Sequence, residues 1–341
     1  MAELQADSRA GPSRRSLLLG GIGLLLIAAA VVAAVVSVDA YIRVQRAADR
    51  KAAMFHVTAG MFATQWGWYA EALQCYEHAM QIDPAYAGAY VQRGYTYYQL
   101  GDLDQALADF TRAIDLDPAG ARTYNRRGSV YGLLGEHAQA LTDLTQAITL
   151  DPALAEAYYN RGVVQNNRGE YHHALADYTQ ALALDPSHVD ACFNRGAIYQ
   201  TLEDYDRAIA DFTRVIALDP GFARAFLNRG RVFNQQGRYM EAIQDLTHAL
   251  ALAPNSAQAY ASRGYAYHAQ QHYAQAITDY TCALLLEPDQ LPVLFNRALV
   301  LLAASPPDCT TAAADIAQVE HLDPAYSMLP GLQNRYSETC E

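Results

Sequence analysis

The sequence predicts an all-α protein in which one transmembrane helix precedes an α-solenoid of about eight helix-turn-helix repeats forming a right-handed superhelix. Three observations predict this fold. A run of 23 uncharged, mostly apolar residues occupies 16–38. Proline recurs every 34 residues from Pro84 to Pro288, and glycine and alanine recur at the same period. A fixed period of this length is typical of stacked helical repeats.

The first 52 residues are predicted to form three segments: a short tail over 1–15, a signal anchor over 16–38 and a helical juxtamembrane linker over 39–52. As a helix, the middle segment spans roughly 34 Å, which is enough for a bilayer core. The Arg14-Arg15 pair before it resembles a bacterial twin-arginine export motif. Basic residues flank both ends of the run, so the positive-inside rule says little. The run is longer than that of a typical cleaved signal, which favours an uncleaved anchor. The motif favours extracytoplasmic repeats, and the cytoplasmic orientation stays open.

Residues 53–326 are predicted to form eight helix pairs, followed by a tail over 327–341. In repeat two, an amphipathic helix around Gly94 is followed by a turn and by a second helix from Leu103 to Leu116. An Asp-Pro step then ends the pair, because proline keeps the residue before it out of the α region. We expect Gly94 to let a neighbouring backbone come close and Ala106 to permit a tight crossing of the two helices. Neither helix can bury its apolar face alone, so the pairs are expected to stack.

These offsets resemble the tetratricopeptide repeat family, whose repeats carry an aromatic residue, Gly, a second aromatic, Ala, a third aromatic, Ala and Pro. Repeat two supplies them as Tyr90, Gly94, Tyr97, Ala106, Phe110, Ala113 and Pro118. The resemblance covers about four fifths of the chain. Repeats one and eight depart from the pattern, with Ala63 for the second aromatic and Ala298 for Gly, as expected of terminal repeats that cap a stack.

Arginine recurs immediately before the repeat glycine, at Arg93, Arg127, Arg161, Arg195, Arg229, Arg263 and Arg297. Aspartate recurs in the second helix, at Asp109, Asp143, Asp177, Asp211, Asp245 and Asp279. Both are missing from repeat one, where Ala59 and Cys75 stand instead. The arginine and the aspartate are thus present together and absent together. This favours Arg–Asp pairs, because a carboxylate and a guanidinium near an interface usually form hydrogen bonds with each other. The alternative is an arginine-lined groove for an acidic ligand.

The residue before each of these arginines forms a mostly amide ladder: Gln92, Arg126, Asn160, Asn194, Asn228, Ser262 and Asn296. In the tetratricopeptide family this position tends to line the concave face. The resemblance to the asparagine ladder in the repeats of O-linked N-acetylglucosamine transferases implies contact with a peptide backbone. We therefore take as peptide-binding candidates the ladder members Gln92, Arg126, Asn160, Asn194, Asn228 and Asn296, together with Tyr159, Asn166 and Arg231. A solvated polar face is the alternative interpretation.

The composition limits the other functions. Residues beyond 52 carry 17 basic and 32 acidic side chains, which disfavours nucleic acid as a partner. The sequence contains no catalytic motif, no metal-binding spacing and no cofactor-binding signature, so no enzyme activity, catalytic residue, metal, cofactor or small-molecule substrate is expected. Cys309 and Cys340 could form one disulfide if the repeats are exported. The other three cysteines are expected to be free.

The sequence therefore favours a membrane-anchored interaction scaffold that binds an extended peptide or a partner protein in the concave face of its repeats. The second hypothesis is a structural component of a cell-envelope complex that acts through repeat stacking or self-association. These hypotheses differ in what matters for function: peptide capture by the amide ladder in the first, and repeat stacking or self-association in the second.

Overall fold

The computed structural model describes the backbone of residues 14–340 and the side chains of residues 32–340. Over that part of the chain there are seventeen α-helices and no strand, which confirms the predicted all-α repeat architecture. The helices fall into two compact units that divide between Leu134 and Gly135. The handedness of the superhelix stays a prediction.

The first unit contains α1 (Arg14–Gln65), α2 (Tyr69–Ile82), α3 (Ala87–Leu100), α4 (Leu103–Leu116) and α5 (Ala121–Leu133). Helix α1 is continuous across the predicted boundaries at residues 38 and 52. In the part of the chain with described side chains, no helix combines the length and apolarity needed to cross a membrane. The predicted tail over 1–15 and most of the predicted anchor over 16–38 lie outside the range of residues whose side chains are described.

The second unit contains twelve helices, which pair and stack in chain order. They are α6 (His137–Leu150), α7 (Ala155–Asn167), α8 (Tyr171–Leu184), α9 (Val189–Thr201), α10 (Tyr205–Leu218), α11 (Ala223–Gln235), α12 (Tyr239–Leu252), α13 (Ala257–Ala269), α14 (Tyr273–Leu286), α15 (Leu291–Ala303), α16 (Cys309–Leu322) and α17 (Leu329–Cys340).

Most helix pairs pack around the glycine of their first helix, although not in the way that the sequence predicted. A Cβ atom at Gly94 would lie 3.0 Å from the Phe110 ring, and one at Gly162 would lie 2.8 Å from the Tyr178 ring. The missing side chain therefore makes room for a ring of the second helix rather than for a neighbouring backbone. The predicted alanine at the crossing is confirmed, since Ala106 and its equivalents are fully buried.

The Asp-Pro steps end the second helices as predicted. Asp117, for example, caps the end of α4, and its carboxylate accepts a hydrogen bond from the backbone N–H of Ala119 at 3.2 Å. The same Asp turn follows most of the second helices, so it also sets the start of each next repeat.

The segment predicted as a C-terminal tail contains helix α17, which packs on α15 and α16. Its Leu329 and Leu332 are buried. A disulfide joins Cys340 to Cys309 at the start of α16, with the two Cα atoms 5.8 Å apart. The terminal helix is thus held both by apolar packing and by a covalent bond, and the sequence foresaw only the bond. The other three cysteines are free thiols.

Candidate functional site

The predicted Arg and Asp ladders pair with each other. Each described pair is bidentate, as in Arg195, whose Nε and Nη2 donate to the two carboxylate oxygens of Asp211 at 2.8 and 2.7 Å. The same geometry joins Arg93 to Asp109, Arg161 to Asp177, Arg229 to Asp245, Arg263 to Asp279 and Arg297 to Asp315. The alternative of an arginine-lined ligand groove is therefore wrong for these six residues.

Two features of this network were missing from the sequence prediction. Asp315 partners Arg297 at a separation of 18 residues instead of 16, because the last repeat carries two extra residues before α16. In addition, Nη1 donates to a threonine in the second helix of the preceding repeat, at 2.8–3.3 Å, from Arg127, Arg161, Arg195, Arg229, Arg263 and Arg297. These threonines are Thr111, Thr145, Thr179, Thr213, Thr247 and Thr281. Each such arginine therefore ties two neighbouring repeats together.

The predicted amide ladder lies on the first helices, and its rungs are half-buried. The rungs at Asn160, Asn194, Asn228, Ser262 and Asn296 lie on α7, α9, α11, α13 and α15 of the second unit. Gln92 and Arg126 belong to the first unit, where the Arg126 guanidinium lies 4.7 Å from the centre of the Tyr95 ring. Arg126 therefore makes a cation–π contact within its own unit.

Three consecutive first helices of the second unit, α11, α13 and α15, enclose an open cavity of about 440 Å³. Its lining is Arg231, Asn234, Gln235, Gln258, Ala261, Ser262, Tyr265, Tyr280, Gln290, Pro292, Val293 and Asn296. It contains two of the nine candidate residues, Arg231 and Asn296. Arg231 is the one charged side chain of this lining, and amides, hydroxyls and apolar groups make up the rest. Such a mixture suits an extended chain with a neutral backbone.

Two polar atoms at this cavity have no hydrogen-bond partner among the described residues. One is the hydroxyl of Tyr280, whose side chain is 1% exposed, and the other is the amide oxygen of Asn234. The Asn234 nitrogen does have a partner, since it donates to the carbonyl oxygen of Ser262 at 2.8 Å. An unpaired buried polar atom is costly in a folded protein. Both atoms are therefore candidates for a hydrogen bond to a ligand.

Tyr280 reaches the cavity from the second helix α14, across the glycine of α13. A Cβ atom at Gly264 would lie 3.0 Å from the Tyr280 ring, so the glycine lets the ring pass towards the groove. Burial, reinforced by Tyr265, raises the pKa of Tyr280. Its hydroxyl is therefore protonated at neutral pH and is able to donate a hydrogen bond.

The candidates Tyr159 and Asn194 lie in a second polar cluster, away from this cavity lining. The Tyr159 ring centre is 6.0 Å from that of Tyr178 and 4.5 Å from that of His188. Burial raises the pKa of both tyrosines, and the nearby Asn194 side chain opposes the shift. The Tyr178 hydroxyl has no hydrogen-bond partner among the described residues.

Within the second unit, three further candidates lie outside both clusters. Asn228 is half-buried and makes no side-chain hydrogen bond within the described residues. Asn166 lies in the last turn of α7, where its backbone carbonyl oxygen accepts a hydrogen bond from the backbone N–H of Gly169 at 2.9 Å. Asn160 is half-buried on α7. Within the second unit, the structure therefore brings the ladder members Ser262 and Asn296 together at the cavity, whereas Asn160, Asn194 and Asn228 lie outside its lining.

The sequence prediction missed Tyr280 because it considered the first helices alone. The signal was present in the second helices, where the side chain that covers the repeat glycine is Tyr76, Phe110, Leu144, Tyr178, Phe212, Leu246 and Tyr280 in turn. Only every third member carries a hydroxyl. At this repeat position the hydroxyl therefore recurs every 102 residues rather than every 34.

Comparison with known proteins shows several likenesses of fold. A tetratricopeptide repeat protein from Parabacteroides merdae is 22% identical, with a TM-score of 0.52 over 74% of this chain and 98% of that one. PilF of Pseudomonas aeruginosa is 24% identical, with a TM-score of 0.56 over 64% and 98%. YrrB, described as a TPR protein with an unusual peptide-binding site, is 24% identical, with a TM-score of 0.50 over 54% and 95%.

Comparison with curated proteins gives no match. Family models described as "Tetratricopeptide repeat" match residues 155–188, 195–263 and 257–290, and one described as "TPR repeat" matches 64–101, 94–135 and 133–167. Together these ranges cover more than half of the chain, at the period on which its helices pair. The chain belongs to the tetratricopeptide repeat family.

Proposed function

We infer that this protein is an interaction scaffold that binds an extended peptide segment of a partner protein in the cavity between α11, α13 and α15. Tetratricopeptide repeat proteins typically mediate protein–protein interactions, and the fold is in general a non-enzymatic scaffold. The observation that carries the proposal is the unpartnered Tyr280 hydroxyl, which is buried at the floor of a cavity lined by amides.

An extended peptide fits the chemistry of the lining. A backbone carbonyl oxygen of the ligand would accept a hydrogen bond from the Tyr280 hydroxyl, and a backbone N–H of the ligand would donate one to the Asn234 side-chain oxygen. Asn296 and Gln258 offer both a donor and an acceptor, so they bind a backbone without selecting its side chains. Arg231 adds a preference for a segment that carries one acidic group near this point.

We further propose that residues 16–38 anchor the protein in a membrane, with the repeats on the extracytoplasmic side. Two features support this location. The uncharged run has the length of a bilayer span, and the Cys309–Cys340 disulfide is of a kind that persists in oxidising compartments. Protease treatment of intact cells tests the orientation: the repeats should be cleaved from outside, and full protection would contradict it.

Peptide binding is tested on the full chain in detergent. Peptides are first selected from a display library of random linear sequences, and their Kd is then measured by fluorescence anisotropy. We expect Tyr280→Phe to weaken binding by about 3- to 10-fold, the effect of one neutral hydrogen bond. The same change should leave thermal stability equal or higher, because it removes a buried hydroxyl without a partner.

Tyr76 supplies the matched control. It occupies the same repeat position in repeat one, but its hydroxyl lies 3.0 Å from the Thr64 hydroxyl. Tyr76→Phe should therefore cost about 1 kcal/mol of stability and leave peptide affinity unchanged. Unchanged affinity in Tyr280→Phe and in both Asn296→Ala and Arg231→Ala would refute the proposal.

A further inference from the structure

The outer face of helix α1 exposes large apolar side chains that no described residue covers. Tyr41, Val44, Phe55, Phe62 and Trp66 are 57–72% exposed, and alanines at positions 48, 52 and 59 lie between them. We call this set the α1 seam. Its spacings are 3, 4, 4, 3, 4, 3 and 4 residues, which keep the seven positions within α1 on a narrow stripe of one helix face. Trp66 is the first residue after α1 and continues the stripe, because its N–H still donates to the backbone carbonyl oxygen of Phe62 at 3.3 Å. This periodicity is typical of a helix that packs along another helix.

The repeat pattern gives independent evidence, because the equivalent face of the first helix is buried in the later repeats. The residues equivalent to Phe55 and Phe62 are buried in all seven later repeats. In repeat two they are Ala89 and Thr96. Ala89 packs in the apolar cluster of α2, and the Thr96 hydroxyl lies 2.9 Å from that of Thr64 in α1. Phe55 and Phe62 therefore occupy the positions that contact the preceding repeat in the rest of the array.

The two ends of the array differ in this respect. At the C-terminal end, α17 covers the last repeat with Leu329 and Leu332 and presents mainly polar side chains to solvent. At the N-terminal end, the equivalent surface carries two phenylalanines where the interior repeats carry small or β-branched residues. A terminal repeat normally has a polar outer face, so this face requires a partner.

We propose that the partner is the α1 seam of a second copy of the chain, and that the two α1 helices pair in parallel. The seam is apolar along its whole length and so complements itself, as a two-fold interface requires. It spans about 38 Å, and covering its four aromatic residues on both copies would bury on the order of 1,000 Å², close to the lower limit for a specific interface. Lys51 is the one charged residue beside the stripe, so charge repulsion is small.

The parallel direction follows from the continuity of α1. The same helix extends from Gln65 back to Arg14, through the segment proposed above as a membrane anchor. Two copies anchored in one membrane would present their seams side by side in the same direction. Antiparallel pairing would place the two apolar N-terminal segments at opposite ends of the dimer. This proposal does not involve the groove, and a peptide-binding defect leaves it untouched.

The oligomeric state is tested on the full chain in detergent by analytical ultracentrifugation, with the bound detergent subtracted. We expect twice the chain mass of 37.4 kDa. Phe55→Glu with Phe62→Glu should raise the dimer dissociation constant at least ~100-fold, because carboxylates would be buried in the seam. The matched control is Met54→Glu with Met61→Glu. These methionines are exposed and also seven residues apart, but they lie more than about 100° away around the helix.

The direction of pairing is tested by mild oxidation. Ala48→Cys lies in the seam and should cross-link to its own copy, whereas Ala47→Cys, about 100° away, should not. Peptide mapping distinguishes this bond from bonds to the free native cysteines. A monomeric wild-type protein, a stoichiometric complex with a different protein in place of the dimer, or equal effects of the phenylalanine and methionine pairs would overturn the proposal.

Discussion

Single residues between the two helices of each repeat adopt the left-handed backbone conformation in seven successive repeats. Five of them are glycines, such as Gly169 and Gly237 with φ of 76° and 72°. In repeats five and seven, Glu203 and Gln271 adopt the same conformation, with φ of 60° and 62°. A residue with a Cβ atom pays roughly 1–2 kcal/mol to adopt this conformation. The repeat geometry therefore imposes the conformation whatever the residue.

This strain predicts a stabilising substitution. Glu203→Gly should raise the free energy of unfolding by about 0.5–1 kcal/mol, because relief of the strain exceeds the added entropy of the unfolded chain. Urea denaturation followed by circular dichroism measures the change. The reverse substitution at an equivalent position, Gly169→Ala, should destabilise the protein by a similar amount. If Glu203→Gly lowers stability, the turn is not strained.

At the scale of helices, the arginine network joins neighbouring repeats through a fixed set of side-chain hydrogen bonds. Arg195 on α9 joins Asp211 of α10 within its repeat and Thr179 of α8 in the repeat before it. The side chain of Asp211 is 7% exposed and that of Arg195 is 16% exposed. Removing one partner of such a buried ion pair leaves the other charge buried and unpaired, which strongly destabilises the fold.

Asp211→Ala is therefore expected to cost about 3–5 kcal/mol, measured by chemical denaturation. Thr179→Val removes a single hydrogen bond to a charged group and should cost about 1–2 kcal/mol. The control is Arg207→Ala on the same helix as Asp211. Arg207 pairs with Asp204 at the exposed surface, so its loss should leave stability unchanged. A loss of stability in the control as large as that in Asp211→Ala would contradict the role of burial.

The elements also show what sequence periodicity was able to predict. Helix pairs, their turns and the Arg–Asp pairs follow from residues that recur every 34 positions, so they were predictable. The threonines that accept from Arg Nη1 recur at the same period but carry no charge, and their role depends on contact between repeats. Asp315 was hidden by the two inserted residues. The Tyr280 hydroxyl repeats only every third unit and lies on the other helix, so a search confined to first helices missed it.

At the scale of the whole chain, a repeat array is held together by contacts between neighbours, so a local change is felt locally. The Cys309–Cys340 bond joins the first residue of α16 to the last residue of α17, 31 positions apart. Closing a loop of this length stabilises a fold by roughly 3–4 kcal/mol in the chain-entropy view. In an array, that contribution belongs to the terminal repeat rather than to the whole molecule.

Reduction of this bond, or the double substitution Cys309→Ser with Cys340→Ser, should therefore release the C-terminal end alone. Hydrogen–deuterium exchange should rise most in α17, less in α16 and α15, and remain unchanged in α7–α12, because local opening follows local stability. Cys75→Ser controls for removal of a thiol without a bond and should leave exchange in α15–α17 unchanged. A uniform rise in exchange across the second unit would show that it unfolds as one cooperative block, and the nearest-neighbour description of its stability would be wrong.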